Sequence, residues 1–181
     1  MFVGSTKIRL GLVAQMARAV RFTSMILAMG FASPAAAASQ WFIVTPLTSN
    51  PQAVQMADAS SIRGNNASAT VWTHFFYSKA QGRLKSYLLQ YGINCETREV
   101  REMRFVDFGA DYETLESGDN SESNEGQYRS VAPGTIGDLT VTFACETAQY
   151  RKKAFIEVGT DQDYRKVAEF FLERGELVKT K

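Results

Sequence analysis

Alternation of apolar and polar positions dominates the middle of the chain. Residues 87–95 read Tyr-Leu-Leu-Gln-Tyr-Gly-Ile-Asn-Cys. A period of two puts Tyr87, Leu89, Tyr91, Ile93 and Cys95 on one face and Ser86, Gln90 and Asn94 on the other. The pattern predicts a core strand that ends with its cysteine on the apolar side. Residues 69–77 are rich in Val, Thr, Trp, Phe and Tyr, types that suit a pleated surface. There Trp72, His74 and Phe76 share one face, and Val71, Thr73, Phe75 and Tyr77 the other. Trp41-Phe42-Ile43-Val44 and the alternating Val54 and Met56 predict two earlier strands, with a turn over residues 60–66. Residues 97–108 predict the strand returning beside 87–95. The alternation slips between Val100 and Met103, which predicts a bulge, although period 3.6 fits the same residues and leaves a helix open.

Residues 109–127 break the pattern. They carry Asp111, Glu113, Glu116, Asp119, Glu122 and Glu125 and no base, and predict an acidic loop. Gly118 is misplaced for a calcium-binding EF-hand loop, so a metal is not expected there. A short strand follows at 128–131. Thr135 and Asp138 have the spacing of a helix-start box, with Asp in place of Glu. A helix from there would put Ile136, Leu139, Thr140, Phe143 and Ala144 on one face and Cys145 on its last turn. Thr140 to Phe143 also suit a strand, so both remain open. A last strand is expected at 154–159. Residues 161–174 predict an amphipathic helix with a stripe of Tyr164, Val167, Ala168, Phe171 and Leu172, ended by Gly175.

Charge and composition change the picture at the N-terminus. The first 38 residues hold Lys7, Arg9, Arg18 and Arg21, no acid, a short apolar run from Phe22 to Phe31, and Ala36-x-Ala38. This is the layout of a cleavable signal peptide, residues 1–38, with Met16 as an alternative start. The rest, residues 39–181, reads as a single exported domain. Taking the leader's four basic residues from the chain's 20 leaves 16 against 19 acids, so the formal charge is near −3 and no basic face for nucleic acid is expected. No transmembrane span is expected after cleavage. Two cysteines, Cys95 and Cys145, in an oxidising destination predict one disulfide; two buried thiols are the alternative if the leader is misread.

Candidate chemistry is sparse. His74 is the sole histidine, so the usual zinc clusters are unavailable, and its aromatic neighbours predict a half-buried structural ring. No Gly-x-Ser-x-Gly elbow or phosphate-cradling glycine loop occurs. Arg98, Arg101 and Arg104 recur at every third residue among Glu99 and Glu102. His74, Arg98 and Arg101 are the candidate binding residues; no catalytic residue, metal or cofactor is expected.

Several motifs occur in one order: Asp58-Ala59-Ser60-Ser61-Ile62-Arg63-Gly64-Asn65, Val71-Trp72, Ser86 ahead of Asn94-Cys95, Arg98 and Arg101, Val131-Ala132-Pro133-Gly134-Thr135-Ile136-Gly137, and Ala144-Cys145. In that order, together with an export signal, the stretch from Trp41 to Cys145 resembles the surface-adhesin protein E family of Gram-negative bacteria. The resemblance implies a small antiparallel sheet with helical packing near the C-terminus, and a Cys95–Cys145 link. It also implies an exported, non-enzymatic binding module, since the family's named member is a surface lipoprotein that binds host matrix proteins and haem and dimerises. This chain departs in lacking a lipid-acceptor cysteine, in having Asn94 where an acid usually precedes the cysteine, and in a C-terminal tail with a helix. The expectation is an α+β fold: an antiparallel sheet of about five to six strands, helical packing near the C-terminus and a terminal amphipathic helix. The expected partner is an unidentified protein or envelope ligand, or a second copy in a homodimer. Two rivals are a periplasmic enzyme assembled from His74, Arg98 and Glu102, and a self-associating structural envelope protein.

Overall fold

The computed structural model describes residues 38–45, 52–120, 122–124, 126–159 and 161–174. The expected leader lies outside them apart from Ala38. Among the described residues, eight strands form one antiparallel sheet: β1 (Trp41–Thr45), β2 (Ala53–Gly64), β3 (Ser68–Gln81), β4 (Leu84–Asn94), β5 (Glu99–Phe108), β6 (Thr114–Asp119), β7 (Arg129–Ser130) and β8 (Ile156–Gly159). Their spatial order is β6-β5-β4-β3-β2-β1-β8, with β7 paired to the other end of β5. Three helices follow the meander: α1 (Ile136–Cys145), α2 (Ala148–Ala154) and α3 (Asp161–Arg174). The α+β class holds, with more strands than expected.

Two apolar faces on the central strands call for two covers. Phe42, Val44, Ala57, Val71 and Ile93 meet Val141, Phe143 and Ala144 of α1. Trp41, Ile43, Val54, Met56 and Phe76 meet Tyr164, Ala168 and Leu172 of α3. The strand near 87–95 behaves as its alternation predicts, since Tyr91, Ile93 and Cys95 all reach the α1 side. Residues 97–108 are a strand, and the predicted slip is a register shift against Gln90 and Tyr91. Residues 136–145 are a helix. Of the residues that argued for a strand, Thr140 bonds within the helix, its Oγ1 donating to Ile136 O at 2.9 Å, and Thr142 Oγ1 accepts from Arg98 in the turn after β4.

The helix-start box is built differently from its model pattern. Thr135 Oγ1 accepts the Asp138 N–H at 3.3 Å, but Asp138 Oδ2 accepts the N–H of Gly134, one residue further back, at 2.9 Å. Thr135→Ala is expected to cost about 1 kcal/mol, read as a lowered urea midpoint; an unchanged midpoint would mean the cap contributes nothing.

Three local expectations are corrected. The acidic loop at 109–127 contains β6, whose Arg104↔Asp119 to Phe108↔Thr114 register lines the edge of β5. An edge strand buries one side at most, and its exposed Glu116 and Asp119 read as loop residues while discouraging edge-to-edge pairing. The turn expected at 60–66 is shorter. β2 runs on to Gly64 through a bulge after Asp58, where Ser61 Oγ takes the Trp72 N–H at 2.9 Å in place of a ladder carbonyl. Residue 154 ends α2 instead of opening a strand, and no residue of α2 is buried.

Cys95 and Cys145 are bonded, with their Cα atoms 5.7 Å apart. The link ties the turn after β4 to the last residue of α1.

Candidate functional site

The three candidate binding residues go to three different places. His74 is wholly buried, not half-buried, beneath α3. Its ring stacks on Phe76 with centroids 3.9 Å apart, and Nδ1 lies 3.1 Å from the Tyr164 hydroxyl, while Nε2 has no partner. Burial, and secondarily the Arg165 charge, hold its pKa down at about 3, so the ring is neutral. Arg98 sits in the turn after Cys95 at φ 54 and ion-pairs with Asp138, its Nη2 also donating to Thr142 Oγ1 at 3.0 Å. That bond, with the Gly134 N–H, holds the Asp138 carboxyl below its usual range. Arg98 is thereby a clamp between turn and α1. Arg101 pairs with Gly92 in register, and its guanidinium lies 5.0 Å from the Tyr128 ring centroid.

Register assigns their faces. Ala69, Val71, Ile93 and Val100 pack on the α1 side, so the alternate positions Thr70, Gly92 and Arg101 lie on the α3 side, as His74 does. Glu102 is on the α1 side, opposite Tyr91. His74, Arg98 and Glu102 therefore do not converge. Among the described residues no group of three or more His, Cys, Asp or Glu side chains is placed to hold a metal ion. No described helix is long and apolar enough to cross a membrane.

A groove forms where the α1 side of the sheet outruns its helix. α1 covers the Ile93 end of β4, with Tyr91 packed against its cluster; the other end, with Phe75, Tyr77, Tyr87, Leu89 and Phe105, lies outside that cluster. Phe75 and Tyr87 stack across the strands with centroids 4.7 Å apart, and Tyr77 leans on Tyr87 at 5.9 Å. Such pairs add about 1 kcal/mol each beyond their burial and hold the rings in place. The groove encloses a cavity of about 340 Å³, floored by Tyr87, Leu89, Tyr91 and Phe105 and rimmed by Glu102, Asp107 and Asn120. Burial, followed by neighbouring phenols for Tyr87 and by Glu102 for Tyr91, pushes both phenols above their ordinary range. Both hydroxyls are therefore neutral donors near neutral pH. Asp107 is held up by burial and by Glu116. Alternation in the sequence grouped Tyr87, Leu89 and Tyr91 on one face of their strand and Phe75 and Tyr77 on one face of theirs; the register of the sheet joins the two sets and adds Phe105.

A family model described as surface-adhesin protein E matches residues 41–146, which takes in the groove, the disulfide and α1. No curated protein and no solved structure is matched by the chain.

Proposed function

We propose, on the premise that the chain belongs to the surface-adhesin protein E family, that it is an exported, non-enzymatic binding module of the bacterial envelope. It docks a protein or envelope component on the tyrosine groove. The observation that carries this reading is a rigid, partly buried aromatic floor with an acidic rim on an open sheet face. Tyrosines held this way offer large contact area at little conformational cost and a hydroxyl for hydrogen bonding, the chemistry enriched at protein interfaces. Glu102 and Asp107 favour a partner that brings basic side chains. The disulfide fits an oxidising compartment outside the cytoplasm, at the cell surface or in the periplasm.

The folded domain, immobilised, is expected to retain a component of solubilised envelope or matrix-protein fractions. Tyr87→Ala with Tyr91→Ala should weaken that retention by about 2 kcal/mol or more, some thirtyfold. Retention untouched by the double variant would move the interface off the groove. No retention from any fraction would count against a binding module.

A further inference from the structure

The opposite face of the sheet carries a second cleft with different chemistry. Arg63, Arg101 and Tyr128 line it above Thr70 and Gly92, with Ser68 at its edge, and it encloses about 260 Å³. We propose that this cleft binds a single oxyanion group (sulfate, phosphate or carboxylate) between its two guanidinium ions.

Three observations converge on it. No carboxylate among the described residues pairs with either arginine, and Arg63 donates Nη1 to the Ser60 and Ile62 carbonyls at 2.6 and 2.8 Å. Two like charges facing one cleft without a counter-ion repel each other, and an anion between them removes that repulsion. Arg101 is also held in position. Its Nε is buried with no hydrogen-bond partner, and its plane lies against the Tyr128 ring. A guanidinium partly stripped of water is screened less, and its remaining donors form the planar fork that suits two oxygens of one group.

Gly92 is the third observation. A methyl group built there would lie 2.9 Å from Arg101 Nε and 3.1 Å from its Cγ, so the arginine occupies the space a side chain would need. Gly92 sits mid-strand, where glycine weakens pairing and commonly marks the close approach of another group. Here the groups are the side chains of Arg101 and of Met103, whose Sδ would lie 3.0 Å from the added methyl. The hydroxyls of Ser68, Thr70 and Tyr128 around the cleft supply neutral donors for the remaining anion oxygens.

The cleft is tested by following backbone amide NMR signals of the folded domain during titration with sodium sulfate, sodium phosphate and sodium acetate, ionic strength being held constant with chloride. Saturable shifts are expected at Gly64, Ser68, Thr70 and Gly92 with at least one of the three anions, and which anion saturates first identifies the preferred group. Arg63→Gln should weaken binding about tenfold, because a hydrogen bond to a charged group is lost; Arg63 is exposed, so this variant leaves the core intact. Arg101→Gln should do the same. Gly92→Ala keeps both charges but displaces Arg101, and should also weaken binding. Shifts that never saturate would overturn the proposal. So would equal affinity in Arg63→Gln and the parent, or a Gly92→Ala protein that binds as the parent does, since general charge attraction would then suffice.

Discussion

Acidification from pH 6.5 toward 3 is expected to remove several kcal/mol of stability through a single side chain, His74. The folded protein holds this imidazole neutral, with its pKa down at about 3 from the ordinary 6.5. The unfolded chain therefore takes up a proton at His74 as the pH falls through 6.5, while the folded chain refuses it until about 3. Across that window the unfolded state binds more protons, so stability drops as pH falls, and the loss levels off below the folded pKa. Each unit is worth about 1.4 kcal/mol, which sets an upper bound of roughly 5 kcal/mol. The structural cause is burial: the ring is enclosed by Phe76, Tyr164 and Phe108, and the charged group acting on it is the Arg165 cation. Urea unfolding from pH 7 to 4 checks it. His74→Phe keeps a stacked ring in the same layer and should flatten the curve in that range. Parallel curves for parent and variant would mean that His74 does not set the acid limit.

Breaking the Cys95–Cys145 link is expected to cost about 4 kcal/mol, the loop-closure entropy of the 50 residues it spans. That span includes the whole of β5, β6, β7 and α1, so the crosslink limits the unfolded chain most where the acidic stretch is otherwise least constrained. Arg98–Asp138 joins the same turn to the same helix, but its arginine is about half exposed, and a pair of that kind contributes little on its own. The Cys95→Ser/Cys145→Ser double variant, which leaves no unpaired thiol, should unfold at much lower denaturant than the parent and become insensitive to reductant. A parent whose midpoint is the same with and without reductant would contradict this.

Much of the fold was legible because burial leaves a period. β3 and β4 send alternate side chains to two differently covered faces, and α3 is buried on a stripe, so these elements could be placed from residue type alone. What stayed hidden had no buried side to show. α2 holds seven residues with none buried; its signal is local, a Thr147 hydroxyl that accepts the Tyr150 N–H at 3.2 Å at its start. β6 owes its strand state to pairing with β5, and to Gly118 leaving room for the Phe105 ring, where a Cβ would come within 2.7 Å. The candidate sites divide in the same way. Arg101 stood out by its spacing, whereas its neighbours Arg63 and Tyr128 come from segments far apart in sequence that the sheet brings together. The tyrosine groove was visible as an apolar face and invisible as an open one, since helix length against strand length is a tertiary fact.

The position of β1 has one more consequence. β1 is flanked by β2, its neighbour in sequence, and by β8, which arrives from the far end of the domain, so that Gln40 bonds Glu157 across 117 residues. The β2 to β5 meander grows by short hairpins, whereas the β1–β8 pair must wait for a much longer chain segment to close. Both cysteines lie between β1 and β8, so the crosslink bypasses the 50 residues between them and shortens this closure without removing it. The expected order is therefore a covalently fastened meander with α1 first and a C-terminal latch of β8 and α3 last, read as amide hydrogen exchange faster in β8 and α3 than in β3 and β4. Trp41 and Ile43, inner residues of the α3 side, are the surface that opening of such a latch would uncover.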